Sequence, residues 1–187
     1  MRISAIAPLV ILVSIPLSPQ NSSTPRIYDN PDAYQIYSLL LPDEEAFGFA
    51  KGTLIIQEET VSKSGESCFT AEADAKFHDA LQDYSRVNRR KWLLQRQFQT
   101  DKPYEIVNSA TIRVSPPGDW ESFYNRYPES GGFIIMSAVG FNKEKTQAVV
   151  YTGTSCGVLC GRWTFHLLEK VEGSWKSVPG VRCMTVS

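Results

Sequence analysis

Thiols are the sharpest candidates for chemistry in this sequence. Cys156 and Cys160 flank Gly157-Val158-Leu159, and Cys68 and Cys183 complete a set of four cysteines. Three residues separate the first pair, against two in the thioredoxin-type redox motif, and no helical pattern follows to lower a thiol pKa at its amino terminus. A redox role for Cys156 and Cys160 is therefore the alternative to a plainer expectation, that the pair closes a turn as a structural staple. Four cysteines allow three connectivities. The preferred arrangement is Cys156–Cys160, with Cys68 and Cys183 paired or free, and the other one weighed is Cys160–Cys183 with Cys68–Cys156. A tetrahedral zinc site from Cys156, Cys160, Cys183 and His166 fails on geometry unless the fourth strand curls, because His166 lies roughly 20 Å from Cys160 along an extended strand.

Other groups converge less. His78 falls on the polar side of a predicted helix with Asp74 and Gln82, and His166 reads as a hydrogen-bonded sheet histidine. The pairs Glu44-Glu45 and Glu58-Glu59 adjoin in sequence, so in a regular element their side chains diverge, and neither makes an acid and base pair. No G-x-S-x-G, H-E-x-x-H, phosphate loop or dinucleotide fingerprint is present. These residues assign no catalytic set, no metal and no cofactor.

The elements that must position the thiols are concentrated in the last third of the chain. Four antiparallel strands in a meander are predicted: Gly132 to Gly140, Gln147 to Thr152, Arg162 to Glu169, and Trp175 to about Val186. The first is apolar almost throughout, as a strand covered on both faces would be. Glu172-Gly173 makes the last tight turn, and Pro179-Gly180 bulges or kinks the final strand, since Pro has no N–H for the ladder. If Val171 pairs with Ser174, Arg162 lies opposite Cys183, which brings Cys156, Cys160 and Cys183 to one end of the sheet.

Upstream, Asn30 caps a helix with Pro31 in its first turn. Ala33, Ile36, Tyr37 and Leu40 form its apolar stripe, and Pro42 marks its end, which leaves Asp43-Glu44-Glu45 to solvent. Gly52 to Val61 reads as a strand with Leu54-Ile55-Ile56 buried. Thr70 caps a long helix to about Lys91, acidic at its start and basic at its end in keeping with the helix dipole. Trp92 to Phe98 and Tyr104 to Val114 suggest two more strands. Asp119 caps a short helix whose Trp120, Phe123, Tyr124 and Tyr127 make a core stripe, stopped by Pro128. The expected class is α+β: a mainly antiparallel sheet ending in the meander, with about three helices packed on one face.

Length and apolar fraction suit one domain. Met1-Arg2 followed by the apolar run Ile3 to Leu17 reads as a signal peptide over residues 1–18, with a flexible mature segment at 19–27 and the domain at 28–187. Asn21-Ser22-Ser23 is a glycosylation sequon. A secreted or periplasmic location follows, with no membrane span after removal of the leader and a protein or envelope component as the kind of partner to expect. Net charge is −1, and no basic stripe interleaves with aromatic residues, which argues against nucleic acid.

Several runs in order carry a resemblance: Trp120..Phe123-Tyr124..Tyr127-Pro128, Ser137-Ala138-Val139-Gly140-Phe141-Asn142, Val150-Tyr151, Cys156-Gly157-Val158-Leu159-Cys160-Gly161, Leu168-Glu169-Lys170 and Gly173-Ser174-Trp175. Together they resemble a family of uncharacterised exported bacterial proteins, over about half the chain. The resemblance implies export from a bacterium and brings no activity. Members often carry a Gly-rich segment after the second cysteine and end near a Trp; here Arg162-Trp163 and Met184-Thr185-Val186-Ser187 stand in those places. The functional expectation is an exported, disulfide-stapled, non-enzymatic binding or accessory domain, with the cysteine turn as a rigid presenting loop.

Overall fold

The computed structural model describes residues 25–48, 52–63, 68–112 and 119–186, so the expected leader lies outside the described residues. A seven-stranded mixed sheet forms the centre. Its spatial order is β4 (Tyr104–Val107), β2 (Leu54–Gln57), β5 (Phe133–Met136), β7 (Gln147–Gly157), β8 (Cys160–Val171) and β9 (Ser174–Val186), with β6 (Gly140–Phe141) also on β7. The pairs from β5 to β9 are antiparallel, which is the expected meander, while β2 runs parallel to both β4 and β5. A separate parallel pair joins β1 (Arg26–Ile27) to β3 (Trp92–Leu93). Ordered pairing therefore begins inside the segment expected to be flexible.

The first meander strand is interrupted. Met136 faces Thr152 and Gly140 faces Val149, so one extra residue is accommodated between β5 and β6. Side chains from three other elements take up the backbone groups this frees. Asn88, after the helix that precedes it, donates to Ala138 O and accepts from Ala138 N, both at 2.9 Å. Tyr37 donates to Ser137 O at 2.7 Å, and Val139 N donates to the Tyr28 hydroxyl at 2.9 Å. Asn88→Ala leaves the buried Ala138 N–H without its acceptor and Ala138 O with the Ser137 hydroxyl alone, and is expected to lower stability by about 2 kcal/mol in urea unfolding; Asn88→Asp, which keeps only the acceptor, should fall between.

Helices cover both faces of the sheet, not one. Helix α1 (Pro31–Gly48) lays Ala33, Ile36, Tyr37, Leu40 and Leu41 on Leu54, Ile56, Ile134, Val150 and Leu168. On the opposite face α2 (Ala71–Lys76) and α3 (His78–Val87) bring Phe77, Ala80 and Tyr84 to Val149, Phe165 and Leu167. Helix α4 (Trp120–Arg126) sets Phe123 on Ile55 and Val107 beside them. The reason lies in β7, where Ala148 and Val150 point one way and Val149 and Tyr151 the other. A strand apolar at both parities needs cover on both sides.

Capping follows expectation: Ala73 N donates to Thr70 Oγ1 at 3.2 Å and Ser122 N to Asp119 Oδ1 at 3.2 Å. The long helix after Thr70 is divided at Phe77 into α2 and α3. Pro42 does not end α1, which continues to Gly48. Its ring lies on the exposed side, and the lost N–H removes a single bond from a helix held by its buried stripe. Among the described residues no helix is long and apolar enough to cross a membrane.

The β8–β9 ladder starts as expected, Val171 against Ser174, through Glu172-Gly173 at positive φ. It then slips: Leu168 faces Ser177 but His166 faces Arg182, so three extra β9 residues bulge around Pro179-Gly180. Cys183 consequently faces Phe165, and Arg162 faces Val186. Cys183 is thus displaced from the rim where Cys156 and Cys160 sit.

Candidate functional site

Two disulfides are present and no described cysteine is free. Cys156–Cys160 closes the β7–β8 turn, which exposes Val158 and Leu159 at 72% and 84%. Tyr124 of α4 donates to Cys156 O at 2.8 Å and steadies the turn from below. Both cysteines lie on strands, so neither thiol adjoins a helix amino terminus. Cys68–Cys183 spans a sequence separation of 115 and ties the approach to α2 onto the edge strand.

A polar cluster that sequence reasoning missed sits under α1. Because the helix passes Pro42, Glu44 extends the buried stripe of Tyr37 and Leu40 and has no exposed surface. Thr152 donates to Glu44 Oε1 at 2.7 Å and Thr154 to Oε2 at 2.6 Å. The single Thr152 hydroxyl proton is used on that carboxylate, so the 2.9 Å contact to His166 Nε2 places the ring proton on Nε2, donating to Thr152. Arg162 Nη2 lies 3.6 Å from Glu44 Oε1. The expectation of solvated acids at 43–45 is corrected for Glu44, and the signal was its place eleven residues after Ala33 on the same stripe. His166 is the hydrogen-bonded sheet histidine expected. Carboxylate, hydroxyls and imidazole are bonded to one another at 4% exposure or less, so the cluster fastens α1 to β7 and β8.

The opposite face opens where α2 and α3 stop. A cleft of about 520 Å³ is walled by Tyr151, Trp163 and Phe165, with Lys63, Thr185 and the Cys68–Cys183 disulfide along its sides. Trp163 forms its floor. A β-carbon on Gly153, directly opposite, would stand 2.3 Å from Trp163 Cδ1, and one on Gly161 would stand 2.4 Å from Cη2. The indole therefore lies flat across two strands, in the space two glycines leave. Trp92 and Trp175 spend their indole N–H on Val87 O and Asp32, and Trp120 stacks on Phe133. Among the described residues Trp163 has neither a ring packed on it nor an acceptor for its N–H. Burial, with the Glu44 carboxylate adding to it, pushes the Tyr151 phenol above its ordinary pKa and keeps it a proton donor.

Fold and site together define an α+β domain stapled by two disulfides, with an open aromatic cleft on one face of its sheet. No protein family, curated protein or solved structure matches the chain.

Proposed function

We propose that this is an exported, non-enzymatic binding domain that takes a flat-faced ligand onto Trp163. One observation carries this reading: an indole laid on a glycine floor inside an open cleft, while every other described tryptophan has its N–H or its ring face engaged by the protein. Such a surface stacks rings. Two disulfides match an oxidising compartment, and the apolar run after Met1-Arg2 together with the resemblance to exported bacterial proteins supports export. The buried use of Glu44, Thr152 and His166 supports a role without turnover.

The test is calorimetric titration of the oxidised protein with free indole and with methyl β-glucopyranoside. Saturable binding of at least one probe is expected, weakened about tenfold by Trp163→Ala. Binding that ignores that substitution, or no binding, refutes the reading. Thiol–disulfide exchange at Cys156 and Cys160 is the second reading, favoured by the exposure of their turn, and it requires that this bond open in the native protein under mild thiol.

A further inference from the structure

We infer that the ligand of the Trp163 cleft is a flat ring bearing an acidic group, with the ring on the indole and the acid on Lys63. This rests on the binding reading above and adds the charge of the ligand.

Among the described residues lining the cleft, Lys63 is the one charged side chain and none is a carboxylate. Its backbone is anchored, because the Tyr84 hydroxyl donates to Lys63 O at 3.0 Å, so the ammonium hangs from a fixed point at the cleft edge. Four other lysines are answered by acids: Lys76 by Glu169, Lys91 by Glu59, Lys145 and Lys170 by Asp32. Lys63 has no such partner among the described residues. The remaining polar groups are the indole N–H of Trp163 and the hydroxyls of Tyr151 and Thr185. The first only donates, and the Tyr151 phenol stays protonated. The described wall supplies donors and one cation, which complement acceptor oxygens carrying negative charge. Glu44 lies beside Arg162 on the other face of the sheet and does not line the cleft, although its charge is felt at the Tyr151 phenol.

Indole-3-acetate and tryptamine carry the same ring with opposite charge, and methyl β-glucopyranoside offers a flat face with none. Calorimetric titration of the oxidised protein is expected to give at least about tenfold tighter binding of indole-3-acetate than of tryptamine. Lys63→Gln, at an exposed position, should erase that preference, while Trp163→Ala should weaken both indoles. Tryptamine or the glucoside binding as tightly as the acid, with Trp163 still required, overturns the acidic ligand and leaves the binding domain standing. A preference that survives Lys63→Gln also overturns it. Failure of all three probes to bind overturns both.

Discussion

Glu44→Ala is expected to cost about 4 kcal/mol in urea unfolding, a large share of the stability of a single domain. The carboxylate is fully buried, accepts from the buried Thr152 and Thr154, and stands by the partly buried Arg162. Removing it takes the carboxylate acceptor from two buried hydroxyls, of which Thr154 keeps the Glu44 backbone carbonyl, and removes the negative charge beside Arg162. Glu44→Gln keeps the shape but turns an amide donor toward one of the threonine donors, so it should recover only part. The informative variant combines Glu44→Met with Thr152→Val and Thr154→Val. Deleting partners together is far milder than deleting one, so the triple variant should be more stable than Glu44→Ala despite carrying more substitutions. If the triple variant is the worse of the two, the cluster is not the fastening described.

Removal of Cys68–Cys183 by paired serine substitutions is expected to destabilise by about 5 kcal/mol, against about 2 kcal/mol for Cys156–Cys160. The difference comes from the loop each bond closes in the unfolded chain: a separation of 115 against one of 4. The long staple also joins the start of α2 to the edge strand, so its loss should make the helices on that face the first to exchange amide hydrogens. Equal effects from the two pairs would contradict the assignment of the main restraint to Cys68–Cys183. The same variants bear on thiol exchange: if Cys156 and Cys160 served it, their bond should reduce in the native protein well before the other.

Local signals in the chain were legible where the chemistry is local. Asn30, Thr70 and Asp119 cap helices because their side chains reach the backbone a turn away, and Glu172-Gly173 turns because its torsions suit that pair. Failures came where a distant partner decides. Pro42 reads as a stop only if the residues beyond it have nothing to bury, and Thr152 and Thr154 of β7 supply that reason for Glu44. The all-apolar run before Gly140 already implied cover on both faces, in conflict with helices assigned to one. A bulge at Pro179-Gly180 was readable, but not its three-residue size, and that size moved Cys183 from Arg162 to Phe165. The Trp163 platform left a faint trace: Gly153 and Gly161 in strands otherwise rich in β-branched and aromatic residues, each standing where the indole must pass.

The slip in β9 has a consequence for life among other chains. This strand forms the outer border of the sheet, and a long, regular border invites a neighbour to zip on through its free amides and carbonyls. Because the strand buckles at its proline, it offers two short stretches out of step with each other instead of one straight template. A passing extended segment can engage either stretch but not both. The same irregularity that places a cysteine therefore also makes this border a poorer template for stacking.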